Sequence, residues 1–439
     1  MSGAEVGLIS VALILVLIYT GLYIPVALGL VSFLGVWIMR GNVDVPINLL
    51  ALAAADSISD PTFAVVPLFA LMGLLVSLAG LGKDIYEVAN YIFRKVRGGL
   101  GIATVAANAV FAAITGSSIA SASVFTKVSV PEMRHFGYKA RFTVGVVAGS
   151  SVLGMLIPPS VMLILYAIIT EQSVGHMFIA GVIPGIILSI AYAIAIIAMA
   201  YVIPDFVGGR AANPDAADRT AWLTFGRAGV MVFPIVILIL LVLGGIYTGW
   251  FTPTEAGAAG ALAALIITLI KRKLTLRGLW KVLVETGHIT ATILLLLIAA
   301  SIYSRMLGVA ALPTLFGEWI QAQEFGFYSI MALYVVLLVL MGTILDTVSI
   351  ILIVVPLFLP VLEPYGIHLV WFGIVTVVGA EIGLLTPPLG ISCFTIHSTL
   401  NDPSISLFDI FSGAFPFAVM MLLVLILIII FPALSLALI

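Results

Sequence analysis

Gly154-Met155-Leu156-Ile157-Pro158-Pro159 lies inside one apolar run of this chain, and Gly383-Leu384-Leu385-Thr386-Pro387-Pro388 lies inside another. Each proline lacks an N–H and pushes the residue before it out of the α region, so no helix passes two of them unbroken. Pro158 and Pro159 free the carbonyls four residues back, Gly154 and Met155; Pro387 and Pro388 free those of Gly383 and Leu384. Bare carbonyls facing lipid are costly, and such a break persists only where protein, water or an ion satisfies it. Both stretches read as half-helix breaks at a binding site near the middle of a membrane.

Composition supports the membrane setting. Of 439 residues, 63% are hydrophobic and 9% charged, with a mean hydropathy of +1.30. A polytopic membrane protein needs that much apolar sequence, and a soluble core does not. The single cysteine, Cys393, excludes an intramolecular disulfide and a cysteine metal cluster. No basic stripe with interleaved aromatics is present, so nucleic acid is not expected as a partner; the lipid bilayer is. Ser2 to Glu5 is short and not basic, which argues against a cleavable signal.

The chain also repeats itself. Ile18-Tyr19-Thr20-Gly21, with Pro25 and Gly29, recurs as Ile246-Tyr247-Thr248-Gly249, with Pro253 and Gly257, at an offset of 228. At 229, Pro131, Gly137, Gly154, Pro158 and Pro159 meet Pro360, Gly366, Gly383, Pro387 and Pro388. Gly181 and Pro184 meet Gly413 and Pro416 at 232. Matches in the same order at a near-constant offset indicate duplication. The expected organisation is a first repeat over 1–205, a polar cytoplasmic linker over 206–228 with an amphipathic helix around Trp222, and a second repeat over 229–439.

In the first repeat, spans are expected near 6–19, 24–39, 63–81, 139–169 and 176–203. An interfacial helix is expected over Lys83–Arg97. The run Gly101–Arg134 is interrupted at Thr115-Gly116-Ser117-Ser118 and reads either as one long span or as a re-entrant hairpin. The second repeat gives spans near 230–246, 253–270, 288–308, 368–397 and 407–430, a flat segment at 274–286, and a hairpin over Tyr328–Glu363 with its tip at Gly342–Thr347. Charge decides between hairpin and span. With hairpins, Lys83, Arg94, Lys95, Arg97, Lys127, Arg134, Lys139, Arg141, Arg210, Arg219, Arg227, Lys271, Arg272, Lys273, Arg277 and Lys281 share one side. That is 16 of the 18 basic residues, and it marks that side as cytoplasmic. Five crossings per repeat then invert the second half and leave both termini periplasmic. The fold class is an all-α polytopic membrane protein, an inverted repeat with two re-entrant hairpins and two discontinuous helices, which is a secondary-transporter architecture.

The hairpin tips and breaks supply the candidate chemistry. Thr115, Gly116, Ser117 and Ser118 fall near Gly154 and Pro158. Gly342, Thr343 and Thr347 fall near Gly379, Gly383, Thr386 and Pro387. Freed carbonyls plus hydroxyls with few formal charges suit Na+ better than calcium or zinc. Small residues also pack membrane helices closely, which is the reading for Ser121 and Ser123. Substrate contacts are expected among Ser118, Pro159, Arg305, Asp346, Glu381 and Pro388, with half-helix N-termini offering positive dipole ends to an anion. Asp346 either ligates an ion or caps a half-helix. Glu381 neutralises a cation, exchanges a proton or faces a water-filled cavity as a buried pair. Arg305 attracts a carboxylate or snorkels at a helix end. Glu255 reads as the acid of a helix start. No Walker loop, nucleophile–base pattern or histidine metal spacing is present in the sequence, so ATP coupling and enzyme chemistry are not expected.

Six motifs in order give the sequence a family likeness: Pro67-Leu68-Phe69-Ala70-Leu71-Met72-Gly73, Gly116-Ser117-Ser118-Ile119-Ala120, Pro131-Glu132-Met133, Ile157-Pro158-Pro159-Ser160, Thr252-Pro253-Thr254-Glu255-Ala256 and Leu385-Thr386-Pro387-Pro388-Leu389-Gly390. Across essentially the whole chain it resembles the large membrane subunit of TRAP transporters, the DctM type. The resemblance implies a sodium-coupled importer of small organic anions such as carboxylates, multi-pass in the bacterial inner membrane. It implies an elevator-type motion, a periplasmic substrate-binding protein and a small four-helix membrane subunit, here expected as a separate chain. It also implies ion sites at Ser117, Ser118, Gly154, Pro158, Gly342, Thr347, Gly383 and Pro387. The alternative is a free-standing ion-coupled dicarboxylate carrier of the same architecture.

Overall fold

The computed structural model describes residues 2–208 and 223–439. The expected helix around Trp222, and the linker residues Arg210 and Arg219, lie outside the described residues. All regular structure in the described residues is helical.

The first half runs α1 (Gly3–Tyr19), α2 (Ile24–Arg40), α3 (Asp44–Ser59), α4 (Val65–Leu78), α5 (Leu81–Phe93), α6 (Gly99–Thr115), α7 (Ser118–His135), α8 (Ala140–Ser151), the single turn α9 (Leu153–Leu156), α10 (Val161–Ile169) and α11 (Val174–Val202). A short α12 (Pro204–Val207) leads toward the linker. The second half opens with α13 (Phe225–Ile239), which passes through a π turn over Leu240–Gly244 into α14 (Gly245–Tyr247). It continues as α15 (Pro253–Ile270), α16 (Leu276–Val309), α17 (Leu312–Ala322), α18 (Phe327–Gly342), α19 (Thr347–Leu362), α20 (Leu369–Leu384), α21 (Ile391–Leu400), α22 (Leu407–Ile430) and α23 (Ala433–Leu436).

Repeated sequence gives repeated local structure. Ile18–Gly21 and Ile246–Gly249 each close a helix on a left-handed glycine, with φ of +90° at Gly21 and +74° at Gly249. Pro25 and Pro253 then fall in the first turn of α2 and α15, where the missing N–H has no helical acceptor to lose. Gly137 and Gly366, 229 apart, are both left-handed after the second arm of their hairpin. Glu255 completes a capping box with Thr252 at the start of α15, as its spacing predicts.

Among the described residues six helices are long and apolar enough to cross a membrane, or seven when Ala140–Leu156 and Val161–Ile169 count as one span bent by 42°. The helices α1 and α2 have 17 residues each, about 25 Å at 1.5 Å per residue, the short end of the spanning range. Three stretches differ from expectation. The segment 274–286 is the start of the continuous 34-residue α16: Thr275 caps it by accepting the Gly278 N–H at 3.0 Å, and no proline interrupts it. Its first-half counterpart is cut at Asp60-Pro61, where Asp60 accepts the Thr62 N–H at 2.8 Å, giving the separate helices α3 and α4. The helix expected over Lys83–Arg97 ends at Phe93 and buries Leu81, Ile85, Tyr86, Val88 and Ala89 beside α6, so its apolar face meets protein. The helices α3 and α17 fall in stretches to which the sequence assigns no span, and they are read from the structure.

Contacts between the halves reveal which helix ends share a side. Lys271 at the end of α15 pairs with Asp84 of α5. Arg134 of α7 pairs with Asp402, and Arg141 of α8 with Asp409 at 3.0 Å. The Asp402 carboxyl is held down at about 2, first by the Ser404 hydroxyl and backbone N–H and then by Arg134, so it stays charged through neutral pH. At the other end, Arg305 of α16 pairs with Asp56 of α3, and the Tyr166 hydroxyl donates to the Leu369 carbonyl at 2.8 Å. The ends grouped by basic residues in the sequence therefore meet in space.

Two groups of helices result. One contains α1–α4 with α13–α16, where Gly257 lies against Leu68 and Gly260 against Met72. The other contains both hairpins, both broken helices, α11 and α22. Within it α8 and α22 cross at Gly145 and Gly413 with backbones in contact, and a side chain at either would enter the other helix.

Candidate functional site

The first hairpin turns at Thr115-Gly116-Ser117. Gly116 has φ +59°, and a Cβ there would stand 2.6 Å from the Pro159 carbonyl oxygen. The Gly116 carbonyl accepts the Val161 N–H at 3.4 Å, tying the tip to the half-helix that restarts after the break. Gly154 admits the Ser117 backbone, 2.8 Å from where its Cβ would be. Ser117 caps α7 by accepting the Ala120 N–H at 3.3 Å. Ser118 is fully buried and its hydroxyl has no hydrogen-bond partner among the described residues. The Thr115 hydroxyl donates to the Phe111 carbonyl. Of the carbonyls freed at this break, that of Met155 accepts the Ser160 hydroxyl.

The second hairpin repeats this plan with different groups. A Cβ on Gly342 would lie 2.7 Å from the Ala380 carbonyl oxygen and 2.8 Å from the Gly383 Cα, so α18 and α20 touch through glycine. Gly379 faces Leu338 one turn away and serves the same crossing. The Thr343 carbonyl accepts the Leu389 N–H at 3.1 Å, binding this tip to its own break. The Gly383 carbonyl accepts the Thr386 N–H at 2.9 Å, and the Thr386 hydroxyl donates to Ile382. Asp346 caps α19, accepting the N–H groups of Val348 at 3.1 Å and Ser349 at 3.3 Å. The Thr347 hydroxyl donates to Glu381 Oε1 at 2.7 Å. Pro158–Pro159 and Pro387–Pro388 are both cis.

Both tips line one cavity of about 740 Å³. Thr115, Gly116, Ser117 and Ser118 come from the first tip, and Asp346, Thr347 and Val348 from the second. The remaining wall comes from α4, α7, the first half of α16, α21 and residues at both breaks, including Ser77, Lys281, Glu285, Thr395, Met155 and Leu384. The helices α7 and α19 both begin at this cavity, so their N-terminal dipole ends point into it. The cavity extends toward the end of the molecule where Lys271 pairs with Asp84, since Leu78 at the end of α4 and Lys281 near the start of α16 line it.

The predicted residues divide accordingly. Asp346 caps the half-helix α19, which is one of the two readings left open in the sequence, and it also faces the cavity. Arg305 is paired with Asp56 and lies off the cavity. Pro159 is buried behind the first tip, and Pro388 is exposed; neither lines the cavity. Pro387 is exposed whereas Pro158 is buried, an asymmetry between the breaks. Glu381 is fully buried within α20, behind Thr347. Sequence reasoning missed Lys281, Glu285, Ser77 and Thr395, and it assigned Ser123 to packing although it lines the cavity. The only signal was the i, i+4 spacing of Lys281 and Glu285 within what read as a flat segment.

Comparison with known proteins accords with this geometry. A family model described as "Tripartite ATP-independent periplasmic transporter, DctM component" matches residues 11–434. The C4-dicarboxylate TRAP transporter large permease protein DctM of Pseudomonas aeruginosa is 33% identical over 398 residues, 89% of each chain. The sialic acid TRAP transporter large permease protein SiaM of Vibrio cholerae is 31% identical, again over 89% of each chain. The ectoine TRAP transporter large permease protein TeaC of Halomonas elongata is 29% identical, covering 98% of this chain and 97% of its own. Among solved structures, the YdaH transporter of Alcanivorax borkumensis shares the fold with a TM-score of 0.58 at 13% identity, over 91% of this chain and 89% of its own.

Proposed function

The chain belongs to the DctM component family of tripartite ATP-independent periplasmic transporters, and from that premise we propose that it is the large permease of a sodium-coupled importer of a small organic anion. Substrate arrives from an extracytoplasmic binding protein, and a small four-helix membrane subunit completes the assembly in the bacterial inner membrane. The observation that carries this reading is the meeting of both hairpin tips, each held to its own break, at one cavity.

Sodium suits the ligand inventory. Ser118 presents a buried hydroxyl without a partner among the described residues, Thr347 carries a second hydroxyl beside a carboxylate, and the peptide groups around Gly116 and Gly154 approach closely. These are hard oxygen donors with little formal charge, as a monovalent cation requires. The cavity opens on the side that the positive-inside rule assigns to the cytoplasm, so the conformation is inward-facing. Lys281 and the dipole ends of α7 and α19 favour an anion between the two ion positions. One group of helices moves the site across the membrane past the other.

Uptake into proteoliposomes tests the reading. With the binding protein present, an inward sodium gradient is expected to drive accumulation, and Ser118→Ala is expected to raise the half-saturating sodium concentration roughly tenfold by removing one ion ligand. Accumulation by this chain alone, without a binding protein, would instead favour the free-standing carrier. Uptake indifferent to sodium would remove ion coupling from the account.

A further inference from the structure

The duplication makes the two proposed ion positions comparable residue by residue. At an offset of 229, Ser117 corresponds to Asp346 and Ser118 to Thr347, while Glu381 corresponds to Val152. The first position therefore offers only neutral oxygens, and the second has two carboxylates beside the same hydroxyl. Both Val152 and Glu381 are fully buried. Of the Glu381 carboxylate, Oε1 accepts from Thr347, and Oε2 has no hydrogen-bond partner among the described residues. Asp346 lies within electrostatic reach of Glu381.

A carboxylate withdrawn from water with a free oxygen is costly unless it takes up a proton or a cation compensates it. Resting on the proposed sodium coupling, we propose that the two ion positions are unequal: the second-repeat position, at Thr347, Glu381 and Asp346, binds sodium tightly and fills first, and the first-repeat position at Ser117 and Ser118 binds weakly and fills last. At the second position the ion's charge is neutralised by the protein. At the first, only dipoles oppose it, and a low-dielectric site lined by neutral ligands pays the full desolvation of the ion. The hydrogen bond from Thr347 holds Glu381 toward the tip, so the carboxylate lies behind the hydroxyl as its charged support. Both positions border the substrate cavity, the first through Ser117 and Ser118 and the second through Asp346 and Thr347. Occupancy of the first is the more strongly coupled to the anion, because there the anion's charge supplies the compensation missing from the protein.

The test is sodium-dependent thermal stabilisation of the full-length chain in lipid nanodiscs, with any co-purifying subunit retained and choline holding ionic strength constant. Wild-type protein is expected to titrate in two components. Ser118→Ala is expected to abolish the weaker component and leave the midpoint of the tighter one within about twofold, while Glu381→Gln shifts the tighter midpoint upward by roughly tenfold or more. An unshifted tight component in Glu381→Gln overturns the proposal, and so does loss of the tight component in Ser118→Ala. If Glu381→Gln does not assemble, Ser118→Ala alone decides between the positions. A wild-type chain that gains nothing from sodium sinks the ion-coupled reading and this inference with it; stabilisation with the two components reversed sinks this inference alone.

Discussion

Gly116→Ala is expected to reduce the initial rate of substrate uptake at least about tenfold while the protein still accumulates in the membrane. Two costs combine at this position. The left-handed φ of +59° is worth about 1 kcal/mol against any residue with a Cβ. That Cβ would also stand 2.6 Å from the Pro159 carbonyl oxygen, a backbone atom that cannot rotate away. The tip must therefore withdraw from the break, taking Ser117 and Ser118 with it. Gly29→Ala is the control: nothing lies within 4 Å of its Cβ, and alanine inside α2 is the better helix former by about 1 kcal/mol. Equal uptake by both variants would separate the tip from function.

Charge reversal at the cavity wall has the second largest expected effect. Lys281 is the only basic residue of the cavity lining, which also contains Glu285 and Asp346. It has no ion-pair partner among the described residues, unlike Arg305, so its charge is available to an incoming anion. Lys281→Glu leaves three carboxylates and no cation. At a separation of about 10 Å and an effective dielectric of about 40, each unit charge contributes roughly 0.8 kcal/mol to an anion, and reversal doubles that. The half-saturating substrate concentration should rise about tenfold or more, with Lys281→Met intermediate. The effect should shrink as salt is raised. An unchanged substrate response in Lys281→Glu would remove the residue from the path.

The halves of this fold were legible because a backbone constraint recurs in the sequence. Two prolines stop a helix whatever packs around them, and the offset near 229 survives in residues such as Gly21 and Gly249 whose φ a side chain would resist. Helix ends with capping chemistry, such as Thr252 and Glu255, were equally readable. Tertiary choices were not. The freed Met155 carbonyl is taken by Ser160 five residues on, a pairing that depends on how the chain turns after the break. The inward face of α16 is set by its packing on α2, α3 and α4, so nothing in the local charge pattern distinguishes Lys281 in a cavity from a lysine in solvent. Arg305 read as a substrate candidate because its partner, Asp56, lies in the other half of the chain.

The most direct measurement is the accessibility of paired cysteines at the two tips. Ile119 and Val348 both line the cavity, and the native Cys393 is buried, so Ile119→Cys and Val348→Cys report on the two tips without removing a side chain assigned to either ion position. Both are expected to react with a membrane-impermeant maleimide applied to inside-out vesicles, and sodium with substrate should slow both together. Modification of the two positions from opposite faces of the membrane, each indifferent to substrate, would contradict a single cavity built from both hairpins.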